Sequence, residues 1–458
     1  LGDLFAAAGH ELALVGGPVR DALLGRLSTS PDADLDFTTD ARPEQVLALL
    51  DGYADTTWDV GIRFGTVGAR LHGREIEITT YRAEQYDAGS RKPEVEYGAS
   101  LDDDLGRRDF TINAMALRLP ELTFVDLFSG LEDLAAGVIR TPGTPERSFS
   151  DDPLRMLRAA RFSAQLGFEV APEVVAAMVE QCDRLSIVSA ERIREEFVKI
   201  VMSPDPRRGL ALLVDTGLCA YVLPELPLLR LEADEHHHHK DVYEHTLTVL
   251  EQAMLLEKEH EPPSGPDPVL RLAALLHDIG KPRTRRFEDD GRVSFHHHEV
   301  VGARMTRKRM QALRFSNEMT DEVSELVALH LRFHGYGTGE WTDSAVRRYV
   351  RDAGPLLTRL HKLTRADCTT RNRKRATALQ RSYDSLERRI AQLEQEEELA
   401  AIRPDLDGRQ IMTMLEIPPG PVVGEAYQFL LDLRLDRGPM TPEEAEAALR
   451  AWWAARLA

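Results

Sequence analysis

The stretch that most constrains this chain is ELALVGGPVRDALLGRLSTSPDADLDF, residues 11–37. Leu12 to Val15 form an apolar run that reads as a short buried strand, and the Gly16-Gly17 pair frees the backbone for a tight turn. Pro18 suits a first helical position, and Val19, Leu23 and Leu24 give the next segment helical spacing. A strand, a glycine turn and a helix start together offer N–H groups to phosphate. Asp34 and Asp36 then alternate along a second expected strand, so both carboxylates leave the same face. Two adjacent carboxylates repel unless cations sit between them. With a phosphate cradle they suit metal-assisted nucleotidyl transfer, in which two cations lie about 3.5–4 Å apart.

The order Gly16-Gly17-Pro18-Val19-Arg20-Asp21-Ala22-Leu23-Leu24, then Asp34-Leu35-Asp36, resembles the signature of the class II tRNA nucleotidyltransferase and bacterial poly(A) polymerase family, of the polymerase-β superfamily. The resemblance implies an α+β head with a mixed sheet, Mg²⁺ on Asp34 and Asp36, and nucleotide binding by Gly16, Gly17 and Arg20. Downstream, Glu75 to Thr80 reads as a strand on which Glu77 shares a face with Glu75 and Thr79. Glu77 stands where the family carries a third carboxylate. Residues 83–106 hold no sustained period and read as a mobile loop. Arg107-Arg108-Asp109-Phe110-Thr111-Ile112-Asn113-Ala114-Met115-Ala116 then matches a family motif along its length. Paired guanidinium groups bind oxyanions bidentately, which suits Arg107 and Arg108 to triphosphate oxygens, and Asn113 offers an amide to a ribose or phosphate oxygen. Asp126 to Gly130, with Asp133 and Leu134, resembles a further motif that shapes the hinge after the head.

From about residue 145 the pattern turns helical. Asp151-Asp152-Pro153-Leu154-Arg155 opens an amphipathic segment that turns Met156, Ala160 and Phe162 toward a core. The resemblance implies that Asp152 and Arg155 pair with the Watson–Crick edge of the incoming nucleotide. Asp accepts from an exocyclic amine, which cytosine and adenine both carry. Asp151 replaces a family Glu, and an aspartate before Pro153 also suits a helix cap. The charges of Ala190–Phe197 are expected to pair within their own helix.

A second constellation holds Glu235 to His239, His245, His277-Asp278, His296 to Glu299, His330, His334 and Asp367. Imidazole and carboxylate mixtures suit divalent metals that activate water. The order H…HD…D resembles the HD phosphohydrolase superfamily. Carried over, it makes His245, His277, Asp278 and Asp367 ligands of a divalent metal, places Lys281 near phosphate, and leaves His298 and His330 as further ligands or substrate contacts.

A chain of 458 residues is too long for one compact core. The expected parts are a nucleotidyltransferase head (1–140), a helical neck (141–230), an HD domain (231–375) and a helical body (376–458). A net charge of −19 excludes broad non-specific affinity for nucleic acid, so an RNA substrate needs a local basic surface. Arg304–Arg314 and Arg347–Arg375, with Arg371, Arg373, Lys374 and Arg375, are the candidates. Trp452 and Trp453 are expected to pack rather than stack on bases. No apolar run reaches a membrane span, no basic-then-apolar leader opens the chain, and Cys182, Cys219 and Cys368 form no disulfide pattern. A cytoplasmic place is expected. The resemblance implies addition of CMP, CMP and AMP from CTP and ATP to tRNA 3′ ends. Poly(A) synthesis, partial CC or A addition, and an HD phosphohydrolase as the main activity are the alternatives.

Overall fold

In the computed structural model, residues 1–26, 35–58, 65–85, 94–97, 100–230, 241–289, 293–333, 341–369, 373–397 and 403–457 are described. They form two compact units, Leu1–Pro224 and Glu225–Ala458.

Among the described residues the first unit holds the strands β1 (Leu12–Val15), β2 (Leu35–Thr39), β3 (Thr56–Trp58), β4 (Thr66–Leu71), β5 (Arg74–Thr80), β6 (Arg82–Gln85), β7 (Glu94–Tyr97), β8 (Met115–Leu119) and β9 (Thr123–Asp126), and a short parallel pair, β10 (Val138–Ile139) with β11 (Glu169–Val170). Seven make one mixed sheet in the order β3-β4-β5-β2-β1-β8-β9. The β2–β5 pair is parallel and the other neighbours are antiparallel. Side chains alternate across a strand, and β1 uses both faces. Leu12 packs with Phe5, Phe37, Val46 and Ile78, whereas Ala13 and Val15 pack with Tyr81, Leu101 and Leu105. That double burial explains why β1 is an unbroken apolar run. The helix Pro43–Leu50 covers one face, opened by Pro43 and by Gln45 Oε1, which accepts from Arg42 N at 2.8 Å.

The region 83–106 departs from the expected loop. β6 and β7 pair antiparallel, and Leu101–Gly106 is a helix capped by Ser100. Polar edge strands carry little hydrophobic period, so the hairpin left no pattern to read. The helix Leu154–Leu166 is more deeply buried than an amphipathic stripe requires, with Arg155, Ser163 and Ala164 inside along with Met156, Ala160 and Phe162.

The second unit is helical. Val242–Glu259, Pro268–Leu276, His298–Ala312, Asn317–Leu329 and Leu357–Ala366 surround the histidines and aspartates. Asp241 and Asp267 cap the first two of these through Tyr243 N, Val269 N and Leu270 N. The long helix Arg373–Glu397 buries Tyr383, Leu386, Ile390 and Leu393 along one side. A separate C-terminal core joins Leu406, Ile411, Ala426, Leu430 and Leu449, with Trp452 and Trp453 packed against it as expected.

Candidate functional site

Gly16 carries φ +74°, a left-handed conformation that glycine adopts without strain, and it caps the helix Gly17–Leu23. A Cβ there would lie 3.1 Å from Arg108 Nη1 and 3.9 Å from Asp36 Oδ2. The glycine turn, a guanidinium and a carboxylate therefore converge. Asp36 on β2 is the register partner of Glu77 on β5, which brings the expected third carboxylate beside Asp36. Asp34 lies outside the described residues. Neighbouring carboxylates, of which Asp36 lines a cavity, are the hard-oxygen donor set that suits Mg²⁺. The cavity, about 830 Å³, is lined by Gly16, Gly17, Arg20, Asp36, Arg108 and Arg158 among others. Phe162 in its wall has the guanidinium groups of Arg161, Arg20 and Arg158 at 4.3, 5.3 and 5.7 Å from its ring centre.

The arginines are held by carboxylates that sequence reading left without a role. Asp104, fully buried, takes Arg107 Nη2 at 2.6 Å on one oxygen and Arg108 Nη2 at 3.1 Å on the other. Burial pushes the Asp104 carboxyl up, but the two guanidinium groups outweigh it and the net shift is down. Asn113 is buried, and both ends of its amide bond within the protein: Oδ1 accepts from Arg20 Nη1 at 2.7 Å and Nδ2 donates to Asp109 at 3.0 Å. It orients Arg20. The signal for Asp104 was its place one helical turn before the arginine pair.

Arg155 donates to the Arg107 carbonyl at 2.6 Å and to Ser148 Oγ at 2.9 Å. A second cavity of about 340 Å³ is lined by Arg107, Arg108, Arg147, Ser148, Asp151 and Arg155, among others. Asp152 is not among its lining residues: one oxygen caps Leu154 N at 3.1 Å and the other accepts from Arg192 at 3.0 Å. The expected intrahelical pairs are present, Arg194 with Glu195 at 3.6 Å and Glu196 with Lys199 at 3.7 Å, but they are joined by pairs to residues outside the helix. Exposed Arg192 reaches Asp152, and buried Glu196 accepts from Arg161 at 3.1 Å, because its face of the helix packs on Leu154–Leu166.

In the second unit His245, His277, Asp278, His298, His330 and Asp367 come together, whereas His296 and His297 are exposed and stand apart, near Glu288 and Glu299. His245 Nε2 lies 3.0 Å from Asp367 Oδ1 and 3.3 Å from His277 Nε2. Asp278 lies 3.2 Å from both His277 Nε2 and His298 Nε2. Two donor groups result, His245–His277–Asp367 and Asp278–His298–His330. His277, His298 and His330 each direct Nδ1 to a backbone oxygen three residues earlier, of Ala274, Phe295 and Val327, at 2.7–2.8 Å. That fixes Nδ1 as the protonated nitrogen and turns each Nε2 lone pair inward, as metal ligation requires. His330 Nε2 is buried without a hydrogen-bond partner, which fits a position awaiting a cation. Burial, reinforced by His277, pushes His330 down to about 3, so the ring is neutral. Burial opposes ionisation of Asp278, but His277 and Lys281 hold its carboxyl well below the usual range. Lys281 sits 2.6 Å from that carboxylate. Glu235 to His239 and His334 lie outside the described residues.

The basic runs are largely committed to the fold. Arg309 pairs with Glu225, Arg348 with Asp436, Arg359 with Asp267, and Arg365 with Asp384 and Glu387, while buried Arg347 donates to the Leu435 carbonyl. Arg304, Arg307, Lys308, Arg314 and Arg375 are exposed, so part of each run remains at the surface. Lys374 is exposed; Arg371 and the side chain of Arg373 lie outside the described residues.

Residues 12–140 match the Poly A polymerase head domain, 167–229 the probable RNA and SrmB-binding site of polymerase A, and 242–372 the HD domain. The A-adding tRNA nucleotidyltransferase of Deinococcus radiodurans is 35% identical over 448 residues, 96% of this chain and 95% of that one. The chain belongs to the tRNA nucleotidyltransferase family. Within that family, the CCA-adding enzyme of Lactobacillus helveticus is 45% identical over 212 residues, 46% of this chain and 51% of that one. The crystal structure of the Bacillus stearothermophilus CCA-adding enzyme in complex with CTP superposes with a TM-score of 0.72 at 27% identity, covering 99% of this chain and 96% of that one. No helix among the described residues is long and apolar enough to cross a membrane.

Proposed function

We propose that this tRNA nucleotidyltransferase adds CMP, CMP and AMP, from CTP and ATP, to tRNA 3′ ends without a nucleic-acid template. The observation that carries the reading is the side-by-side placement of Asp36 and Glu77 next to the Gly16 turn and Arg108. Arg20 and Arg108 bind triphosphate oxygens, and Asn113 and Asp104 keep the two guanidinium groups aimed. Arg155, fixed by the Arg107 carbonyl, donates to the base, and Asp152, whose oxygens each keep a second lone pair beyond those given to Leu154 N and Arg192, accepts from its exocyclic amine. The tRNA 3′ oxygen attacks the α-phosphorus, the bond to the β-phosphate oxygen breaks, and pyrophosphate leaves. Asp34, Asp36 and Glu77 would hold Mg²⁺, which would lower the pKa of the attacking hydroxyl and neutralise charge on the departing phosphates.

Two further readings have an observation behind them. The Deinococcus radiodurans relative, matched over nearly its full length, is A-adding, which favours addition of the terminal A alone. The inward Nε2 atoms of the second unit favour a metal-dependent phosphohydrolase acting on phosphates at RNA ends as an additional activity.

The test uses tRNA transcripts ending at the discriminator base, at C and at CC, incubated with Mg²⁺ and CTP, ATP or both, with the new 3′ ends sequenced. Ordered C, C, A and a stop is the expected result. A only after CC moves the assignment to A addition, long A-tracts to poly(A) synthesis, and no addition leaves the hydrolase as the main activity.

A further inference from the structure

The segment Arg107–Asn113 joins the glycine turn to the base-reading helix Leu154–Leu166, and Asp109 is its central link. Arg155 and Arg158 lie three residues apart on that helix and so share a face. Arg155 donates to the main-chain oxygen of Arg107, and Arg158 donates to Asp109 Oδ2 through Nε at 2.7 Å and Nη2 at 2.6 Å. The other oxygen, Asp109 Oδ1, accepts from Phe110 N at 2.8 Å and Asn113 Nδ2 at 3.0 Å. Asn113 Oδ1 then accepts from Arg20 Nη1. One line of hydrogen bonds thus runs Arg158–Asp109–Asn113–Arg20, from the helix that carries the base reader to the helix that follows the phosphate turn. Asp109, Asn113 and Arg20 are all at most 7% exposed, so water does not substitute readily for a lost member.

We propose that Asp109 is a positioning residue for nucleotide selection, setting the place of Arg155 relative to the triphosphate groups Arg20 and Arg108. This rests on the nucleotidyltransferase reading above. The base edge and the triphosphate belong to one substrate molecule, so the two sets of contacts are made together only within the span that molecule can bridge without strain. A carboxylate bonded to both sides fixes the separation. A residue that merely stabilised the fold would, on replacement, lower melting temperature and active fraction and leave the preference among nucleotides unchanged.

The experiment compares the full chain with Asp109→Asn, Asp109→Glu and Arg158→Gln on a tRNA transcript ending in CC. It reads kcat and KM for ATP and for CTP separately, with calorimetric titration of Mg²⁺–ATP onto each protein in the absence of RNA. Asp109→Asn is expected to raise KM and Kd for ATP roughly tenfold or more, since a displacement of about 1 Å costs up to about 100-fold in such sites. The preference for ATP over CTP falls with it, and kcat changes less. Arg158→Gln reproduces the loss, and the double variant is no worse than either single one, as members of one network behave. Asp109→Glu recovers part of the affinity. Wild-type preference and affinity in a folded Asp109→Asn protein overturn the proposal, as do strictly additive losses in the double variant. If Asp109→Asn does not fold, Arg158→Gln decides by the same criteria. If the wild type adds no nucleotide, the functional reading fails separately, and unchanged ATP binding across the variants overturns the positioning role.

Discussion

Asp36 and Glu77 are register partners on adjacent parallel strands, the one parallel pair in a sheet otherwise antiparallel among the described strands. Parallel pairing places residues of like face side by side, so two carboxylates from separate segments meet at one point. Asp36→Ala is expected to lower kcat for nucleotide addition roughly 100- to 1000-fold with the fold intact. Single-turnover incorporation with saturating nucleotide measures it. Incorporation at the wild-type rate, there or in Asp34→Ala, sinks the mechanism.

Glu77 is the more exposed partner and its loss is milder. Glu77→Gln should raise the Mg²⁺ concentration for half-maximal activity about tenfold while leaving activity at saturating Mg²⁺ closer to wild type. A Mg²⁺ titration of the initial rate is the check, and an unaltered midpoint removes Glu77 from the metal set.

Asp109 makes acid stability of the first unit a titration experiment. Burial alone would raise its carboxyl, but Arg158 and Asn113 hold it at about 2, against 3.8 for the free group. The folded value lies below the unfolded one, so the contribution is fully present above about pH 4 and is lost as pH falls toward 2. It amounts to about 2 kcal/mol. Urea unfolding across that window should show a shallower pH dependence for Asp109→Asn than for wild type, and parallel curves would contradict it.

The head motifs were legible because they combine residue types that a plain fold rarely places in order. The strand, glycine turn, helix and following carboxylate stand where the pattern of residues 11–37 put them. Asp109 and Arg158 were not legible, since a carboxylate that orients an arginine 49 residues away has no local pattern of its own; Asp104 had a local signal, three and four residues before Arg107 and Arg108, but it falls in the stretch that reads as a loop. Some arginines of the second unit misled for the converse reason. A run of Arg looks the same whether it faces solvent or, like Arg359 and Arg365, crosses to Asp267 and Glu387 on other helices.

His277→Ala should abolish metal uptake by the histidine–aspartate cluster and any phosphoester hydrolysis that depends on it. Nucleotide addition by the same protein should stay near wild type. Mn²⁺ titration and release of phosphate from p-nitrophenyl esters and 3′-phosphorylated RNA read the first effect, and the CC-ending transcript reads the second. Unchanged Mn²⁺ binding removes His277 from the ligand set.

Gly280 allows the loop after Asp278 to touch the helix His298–Ala312. A Cβ there would fall 2.2 Å from the His298 carbonyl oxygen and 2.7 Å from Gly302 N, both main-chain atoms. Gly280→Ala should destabilise the second unit by about 1–3 kcal/mol and weaken Mn²⁺ binding together, since the same contact sets the Asp278–His298 spacing. Differential scanning calorimetry with and without Mn²⁺ tests both, and a variant that melts like wild type would falsify the contact.

His277 and His330 each stand at the residue where a helix stops, and each ring is steered by a carbonyl of the last turn, Ala274 or Val327. Those carbonyls are among the groups a helix end leaves without an internal donor. Ring orientation is therefore a by-product of helix termination and needs no dedicated partner side chain. Such a unit is portable: a histidine placed at the stop of any well-anchored helix inherits the same tautomer and the same inward nitrogen. It is also brittle in one respect, because a substitution that let either helix run on for another turn would hand the carbonyl to a new backbone N–H and release the ring.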